Sequence, residues 1–451
     1  MALSIVFFLV YVAIVVAIGT FSSRKETEDD FMIAERKVRG LQMIATMTAG
    51  MFDGAILAIY IAYVYLYGLS AIWFFVGLGL GFLVLRSYGP AIKKRADQFG
   101  AYSMSEYFGE VLGKRNGLMF SVILVVQFFG YMIINLILSG KVLSAIFPIR
   151  YGTAVLIGGL IILSYLFLAG FKAVVRTDFF QLGIMIVMSV TVGVFLFGRT
   201  PVNSQDFDIF KMGAGNIFAF LVLAGASIVV APDLWQRIFA AHDDKNVKRG
   251  LGYASFLPLI LAIIVTVLGI ATKNFFPDIK PEDALVAGFS RLLPVGVKEF
   301  GMVLLYAVSL SSTDTVTFVV SSIFTRDLQK YSRQYSEESM KKLTRFFMVL
   351  FVGFAIVVGI FYQNILQVAF SFGSLNLALV PVVIGSLYWK LSETAVFWTL
   401  IVSVVAVLAM FVAGVLNPQT AVVSLPVALV ALIVFHIPSF WRHRRQRQTV
   451  A

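Results

Sequence analysis

Residues 48–55 read Thr48-Ala49-Gly50-Met51-Phe52-Asp53-Gly54-Ala55. This stretch lies in the middle of an apolar run, residues 41–66, that is long enough to cross a membrane. Two glycines flank one acid there, and a charge at mid-bilayer costs about 2.5–3.5 kcal/mol on insertion scales. Irregular backbone is tolerated in lipid only where it lines a cavity or coordinates an ion. The stretch indicates either a broken membrane helix or an acid packed against a neighbouring helix, with glycines for close contact.

The composition of the whole chain predicts a polytopic membrane protein. Its 451 residues are 59% hydrophobic and 13% charged, and the mean hydropathy is +0.91, which excludes a soluble globule of this size. The absence of cysteine from the sequence excludes disulfides, thiolate metal sites and cysteine nucleophiles. The net charge of +12 is expected in short loops rather than on a basic face, so no nucleic-acid partner is expected.

Apolar runs predict thirteen membrane-spanning helices in one transmembrane domain, with the lipid bilayer as partner. Their approximate limits are residues 2–20, 41–66, 70–88, 117–147, 151–170, 174–198, 212–232, 250–272, 301–323, 346–362, 366–389, 395–415 and 420–436. The first run lacks a basic start and a small-residue exit motif, so a retained helix is expected rather than a cleaved signal.

The distribution of Lys and Arg predicts the orientation. Alternate loops contain 28 of these residues on one side and 7 on the other, and Lys141 falls inside a span. Because basic loops stay in the cytoplasm, the N-terminus is expected outside the cell and the basic tail, Arg442–Arg447, in the cytoplasm, with the protein in the cell membrane.

The ninth span carries an unusual density of oxygen atoms. Ser309-Leu310-Ser311-Ser312-Thr313-Asp314-Thr315-Val316-Thr317 has seven oxygen-bearing side chains in nine residues. Ser311, Asp314 and Thr315 share one helix face, and hydroxyls with freed carbonyls can supply the several oxygens that a hard cation such as sodium requires. The plainer alternative is that the hydroxyls bond back to carbonyls of their own helix.

A second small-residue cluster, Ala224-Gly225-Ala226-Ser227, interrupts the seventh span, five helices after the first interruption. This spacing predicts two inverted five-helix repeats, residues 40–199 and 212–390. Residues 1–39 would form an extra helix and a first cytoplasmic loop, and residues 391–451 two further helices and the tail.

A further stretch, Gly170-Phe171-Lys172-Ala173-Val174-Val175-Arg176-Thr177-Asp178-Phe179-Phe180-Gln181, follows the pattern G-x-K-A-V-x-x-T-D-x-x-Q. This pattern resembles the signature of the sodium/solute symporter family, which includes sodium/proline, sodium/sugar and sodium/sialate carriers. Three further segments agree in order and spacing: Asp29 to Arg36, Pro232 to Ala241 and Ser311 to Asp327. The resemblance implies the leucine-transporter fold and sodium as the coupling ion.

The resemblance also implies ion sites, residue by residue. The main sodium site would use the hydroxyls of Ser311 and Ser312 with the carbonyls of Met51, Gly54 and Val308. Asp53 matches an acid that proline symporters carry beside that site. Asp178 matches an acid that helps to hold a second sodium in the sialate branch. Its partners there are hydroxyls, whereas the implied set in this chain is Asp178, Ser311, Asp314 and Thr315.

Two carboxylates in the second set could hold a second sodium or share a proton. The solute pocket departs further from the family, because Ala224 and Ile228 stand where proline symporters place aromatic residues. By position, the residues expected to face the solute are Phe52, Tyr131, Asn135, Ser227, Phe372 and Asn376.

The leading hypothesis is sodium-driven uptake of a small organic solute, such as an amino acid, sugar or carboxylate, by a monomer working through alternating access. A proton-coupled carrier and a transporter-like sensory module are the alternatives, and the short tail after the last span favours a carrier over a sensor. The sequence contains neither a P-loop nor an HExxH motif, and no hydrolase constellation is recognisable, so an enzyme is not expected.

Overall fold

The protein is described by a computed structural model that covers residues 2–22, 28–166, 171–199, 203–331 and 336–448. These ranges form twenty α-helices, numbered in chain order. Their bounds are α1 Ala2–Ser22, α2 Glu28–Ile33, α3 Gly40–Ala49, α4 Gly54–Tyr67, α5 Trp73–Phe99, α6 Met104–Leu112, α7 Lys114–Ile146, α8 Tyr151–Leu166, α9 Phe171–Leu196, α10 Gly213–Val229, α11 Pro232–Ala240, α12 Asp244–Ala254, α13 Leu257–Phe275, α14 Ala284–Leu292, α15 Val297–Tyr331, α16 Glu337–Phe361, α17 Ile365–Tyr388, α18 Glu393–Val412, α19 Pro418–Ala421 and α20 Ser424–Gln448.

The predicted all-α class is confirmed, and the predicted spans can be compared with the observed helices. Within the described residues, nine helical stretches are long and apolar enough to cross a membrane, or ten when the bent pair α10 and α11 counts as one span. One of them, Gly54–Phe99, contains both α4 and α5, and the apolar helices Leu3–Ala17 and Tyr151–Ser164 are shorter. Each of the thirteen predicted runs therefore coincides with helical structure, although the length criterion alone counts fewer spans.

Two spans are broken in the middle, as the sequence predicts, but only the first break lies where the glycines suggest. Helix α3 ends at Ala49, and α4 begins at Gly54 with Asp53 as its N-cap. In the seventh span the break falls at residues 230–231, where α10 and α11 meet at 41°.

The interpretation of residues 224–227 as that second break is wrong, because they lie inside the continuous helix α10. Gly225 instead allows α10 to pack closely on α5: a Cβ at Gly225 would lie 3.0 Å from the carbonyl oxygen of Gly77. Small residues serve helix packing here.

The most polar span lies at the centre of the molecule. The apolar window of α15 is completely buried, whereas those of α18 and α20 are only about a third buried. A helix with many polar side chains is unfavourable against lipid, so it is expected where those side chains meet partners inside the protein. Helix α15 therefore forms the axis around which the broken spans pack, and α18 and α20 lie at the periphery.

Loops from distant parts of the chain meet on the same side of the molecule. The amide of Val38 donates to the carbonyl of Ala240 at 3.0 Å, and the amide of His242 donates to Val38 at 2.9 Å. On the opposite side, Lys141 contacts Asp283 at 2.6 Å. The first contact joins the loop after α2 to the end of α11, so it fixes the broken span from one side.

Candidate ion- and solute-binding site

The two broken spans meet α7, α15 and α17 around a cavity of about 90 Å³ near the middle of the molecule. Aromatic residues form part of its wall: Phe74, Phe128, Phe220 and Phe370. Polar side chains from six helices and from the first break also line it: Asp53, Gln127, Tyr131, Asp178, Ser227, Asp233, Ser312, Thr315 and Asn376. An enclosed space of mixed character at broken helices is the usual place for a transported solute and its ions.

Asp53 closes the N-terminus of α4. Its Oδ1 accepts from the amide of Ile56 at 2.6 Å, and the amide of Ala55 donates to Asn135 Oδ1 at 3.1 Å. The Ser312 hydroxyl lies beside the same carboxylate. Because these contacts use the first amides of α4, that helix end presents a carboxylate to the cavity instead of free N–H groups.

Glycine allows the first break to approach the central helix closely. A Cβ at Gly54 would lie 2.5 Å from Ser309 Oγ and 2.8 Å from Ser309 Cα, which is backbone and cannot move aside cheaply. A Cβ at Gly50 would lie 3.3 Å from Asp233 Oδ2. The two glycines around Asp53 therefore fit the break against α15 on one side and against α11 on the other.

The structure brings together most of the predicted main sodium site. Met51, Asp53 and Ser312 all line the cavity. Gly54 packs on α15 as described, and Ser312 Oγ approaches the Val308 carbonyl at 3.5 Å. The side chain of Ser311 lies outside the described residues. The assignment of these residues to sodium stays a prediction.

Asp178 takes part in a buried ionic network that the sequence reasoning missed. Its Oδ2 accepts from Thr46 Oγ1 at 2.5 Å and from Arg237 Nη2 at 3.1 Å. Arg237 Nη1 also donates to Asp233 Oδ2 at 2.7 Å, and its Nε donates to Thr46 Oγ1 at 2.8 Å. One guanidinium thus joins α11 to α9 and α3.

Arg237 was counted among the loop charges in predicting the orientation, and this placement is wrong, because it is only 1% exposed and lies in α11. The sequence does hold a signal for it. Asp233 and Arg237 stand four residues apart, the spacing at which opposite charges pair on a helix. A pair of that kind next to a membrane span favours a buried interaction rather than a loop.

Asp314, Thr315 and Asp178, the other described members of the second predicted site, lie near each other around Arg237. Thr315 Oγ1 donates to Asp314 Oδ1 at 3.3 Å, and Asp314 is close enough to Arg237 for an electrostatic interaction. Three buried acids, Asp178, Asp233 and Asp314, interact with one guanidinium, and Asp53 lies near Asp233; each of these five residues is no more than 5% exposed. An ionised group of this composition carries a negative excess that favours bound cations.

Three residues of the cavity wall carry a buried acceptor oxygen that has no hydrogen-bond partner among the described residues: Gln127 Oε1, Asp233 Oδ1 and Asn376 Oδ1. The orientation of Asn376 follows from its neighbour. Ser227 Oγ donates to the Leu223 carbonyl at 2.7 Å, so it accepts from Asn376 Nδ2 at 3.1 Å. This leaves the Asn376 oxygen unpaired, and buried acceptors of this kind require a donor or a cation.

The predicted solute residues divide into two groups. Tyr131, Ser227 and Asn376 line the cavity. The other three lie behind its wall: Asn135 binds the α4 amide, Phe52 packs on Phe75 with ring centroids 5.8 Å apart, and Phe372 packs on Gly130. Gln127 and the aromatic wall were missed, because apolar spans contain many such residues with no local pattern to separate wall from core.

An aromatic layer closes the cavity towards the end of α4. The rings of Tyr63 and Phe220 meet edge to face at 4.6 Å, and Tyr63 lies 6.1 Å from Phe370. Phe370 lines both the cavity and an outer groove that also contains Glu282 and Asn364. One layer of rings therefore separates the cavity from that groove.

Two broken membrane helices around a small cavity with a surplus of buried acid are the features of a secondary transporter. Comparison with solved structures supports the fold. A Na⁺-coupled sialic acid symporter in a substrate-bound outward-open state matches with a TM-score of 0.83 over 96% of this chain and 97% of its own, at 17% sequence identity. The predicted leucine-transporter fold is confirmed by this similarity.

The chain belongs to the sodium:solute symporter family, whose model matches residues 31–403. The osmoregulated proline transporter OpuE of Bacillus subtilis is 25% identical over 438 residues, 90% of this chain and 88% of that protein. Sodium/proline symporter 2 of Staphylococcus saprophyticus is 26% identical over 427 residues, 86% of this chain and 81% of that protein. The protein is thus a multi-pass membrane symporter that couples sodium to a small solute, and not an enzyme.

Proposed function

We propose that the solute is a small amine-bearing molecule of the amino-acid class. The observation that carries this proposal is the set of unpaired acceptor oxygens in residues of the cavity wall, Gln127 Oε1, Asp233 Oδ1 and Asn376 Oδ1. An ammonium group supplies the hydrogen-bond donors that these acceptors require, whereas a solute group made only of acceptors would leave them unpaired. The relatives named as proline transporters carry solutes of this class.

The shape of the wall supports the same class. Phe74, Phe128 and Phe220 provide apolar surface for a short hydrocarbon body. A sugar needs many paired hydroxyls, and a carboxylate without an amine would face the acids Asp53 and Asp233. Ala224 also lies on the wall, where a larger residue would narrow the space further. At about 90 Å³, the cavity suits a compact solute with one cationic end.

We propose Met51, Gly54, Val308, Ser311 and Ser312 as the main sodium site, with Asp53 beside it. The C-terminal end of α3 points its dipole and last carbonyls into the break, and this end of a helix favours a cation. Hydroxyl and carbonyl oxygens without a directly bound carboxylate suit a monovalent ion, since they avoid burying excess charge.

The second site remains a proposal, with Arg237 as a new participant. The hydrogen bonds from Thr46 and Arg237 both use Asp178 Oδ2, and Asp178 and Thr315 both line the cavity. A second sodium there would balance the negative excess that a single guanidinium leaves. A proton shared between Asp178 and Asp314 would do the same, and the two versions differ in their dependence on sodium and pH.

Uptake into proteoliposomes tests the coupling and the solute class together. Sodium is replaced by potassium at fixed pH, and amino acids, sugars, carboxylates and vitamins are first screened by sodium-dependent thermal stabilisation. We expect stabilisation by an amino acid and loss of its uptake in potassium. Stabilisation by a sugar alone would refute the solute class but not the symport.

We propose that the protein works as a monomer in the cell membrane, with the side that carries Val38 and His242 in the cytoplasm. The sequence contains no cysteine, so single cysteines can be placed without a background. A cysteine replacing the exposed Lys342 should resist an impermeant maleimide in intact cells, and one replacing Lys298 should react. The reverse pattern would overturn the orientation, and light scattering of the purified protein tests the monomer.

A further inference from the structure

A strongly basic groove lies between α5 and α12, away from the central cavity. Arg86 enters it from the middle of α5, and Lys245, Lys248 and Arg249 enter it from α12. Asp244 is the one acid on its wall. Retention of basic loops on one side of the membrane accounts for the side on which these charges lie, but not for their convergence from two helices into one groove.

Close helix packing holds the basic groups in place. Arg86 Nε donates to the carbonyl of Lys248 at 3.1 Å, and a Cβ at Gly252 would lie 3.3 Å from the same nitrogen. Asp243 caps α12 through the amide of Asn246 at 2.8 Å. This hydrogen bond, with a second from His242, lowers the pKa of Asp243 to about 2. Asp243 is therefore ionised and occupied at the helix start, outside the groove.

The groove lies at the level where the lipid-facing surface changes from apolar to polar. Along α5, the exposed residues Leu83 and Val84 are followed by the exposed Arg86. Along the α12 and α13 pair, the exposed Ile260 is preceded by Phe256, which is 43% exposed and lines the groove together with Tyr253. Aromatic side chains of this kind are enriched at the headgroup level of a bilayer.

We propose that this groove binds an anionic phospholipid. The phosphate lies among Arg86, Lys248 and Arg249, because basic pockets between membrane helices suit anionic headgroups. The glycerol region rests against Tyr253 and Phe256, and the acyl chains follow the apolar surfaces of α5 and α13. The proposal depends on charge and position only, so it is independent of the solute that the central cavity takes.

The test measures binding of phosphatidylglycerol and phosphatidylcholine to the purified full-length protein by native mass spectrometry and by thermal stabilisation. The variant Lys248→Gln/Arg249→Gln removes two charges from the groove. Lys94→Gln/Lys342→Gln is the matched control, because it removes two exposed charges from the same side outside the groove. We expect the groove variant to weaken phosphatidylglycerol binding by about tenfold or more, and the control by less than about threefold.

Each other outcome overturns the proposal. Equal loss in both variants means a diffuse charge effect, and equal binding of phosphatidylcholine means an apolar contact. Competition by inorganic phosphate at similar concentrations means a site for a free anion. Should the double variant fail to fold, the single variant Arg249→Gln is measured instead, and unchanged affinity for phosphatidylglycerol in that variant removes the headgroup position from the groove.

Discussion

The two membrane spans are interrupted in different ways and carry different polar groups at their breaks. The first break spans the four residues between α3 and α4, has a glycine on each side of Met51-Phe52-Asp53, and uses Asp53 as a cap. The second is only the short bend at residues 230–231, followed by Pro232 at the first position of α11. The first exposes backbone carbonyls, which suits an ion. The second buries a charged pair, Asp233 with Arg237, in the protein interior.

Because of this difference, the two halves of the cavity differ in what balances their negative charge. In the proposed assignment, the half formed by α3 and α4 needs a cation to complete its oxygens. The half formed by α11 already carries a fixed cation, Arg237, which holds Asp178 and Asp233. The proposal therefore combines an ion that can leave with a charge that cannot, and substitutions on the two sides should have different consequences.

The largest effect is expected from Arg237→Gln. Removing one partner of a buried ion pair leaves uncompensated charge and costs about 3–5 kcal/mol. The thermal unfolding midpoint of the purified protein should fall strongly. Asp233→Asn/Arg237→Gln should recover part of the loss, because it removes one of the stranded charges.

Lys342→Gln provides the control, because Lys342 is 71% exposed in its pair with Glu338 and should change stability by about 0.5 kcal/mol or less. If Arg237→Gln unfolds at the same temperature as the unchanged protein, the network around Asp178 does not stabilise the fold.

Ser312→Ala should give the next largest effect, on sodium rather than on stability. It removes a hydroxyl ligand without adding bulk, and an interaction with a charged group contributes about 1.5–3 kcal/mol. The sodium concentration for half-maximal uptake should rise about tenfold, with a smaller rise in Ser311→Ala.

Thr317→Val is the matched control on the same helix, since its hydroxyl bonds the carbonyl of Thr313 at 2.6 Å. Unchanged sodium dependence in both serine variants would remove the ion from the first break.

Sequence reasoning found the first break and misplaced the second for a physical reason. Glycines beside an acid leave a local signal at Asp53, whereas the bend at residues 230–231 is set by Pro232 and by the contacts of Arg237 with distant helices. The small cluster around Gly225 imitated a break, because close packing on Gly77 requires the same residue types. Three residues that the sequence analysis expects to face the solute lie behind the cavity wall in the structure. The rotation of each helix depends on all its neighbours and cannot be read from the local sequence.

Asp53→Asn should have a moderate effect on the first break. Asparagine caps a helix about as well as aspartate, so α4 and the folded state should keep their stability within about 1 kcal/mol. The negative charge beside Ser312 is lost, and sodium affinity should fall several-fold. Uptake in sodium titrations and thermal unfolding separate the two quantities. Normal transport with unaltered sodium affinity would show that Asp53 acts only as a cap.

The smallest and most informative effect is expected at Asp314, where the fixed charge of Arg237 would meet the proposed second cation. If a second sodium binds between Asp178 and Asp314, uptake is cooperative in sodium, with a Hill coefficient above one, and Asp314→Ser keeps much of it because a hydroxyl replaces one ligand. If the two acids share a proton instead, sodium dependence is hyperbolic and uptake shifts between about pH 5.5 and 8, since two close carboxylates cannot both ionise at their usual pKa. Arg237 bears on the choice, because it already pairs with Asp178 and Asp233 and so lowers the net negative charge that a second cation would meet. A Hill coefficient of one, no pH shift, and unchanged uptake in both Asp178→Asn and Asp314→Asn would rule out both versions, and would leave Arg237 as the permanent cation of that half and a single sodium for the other.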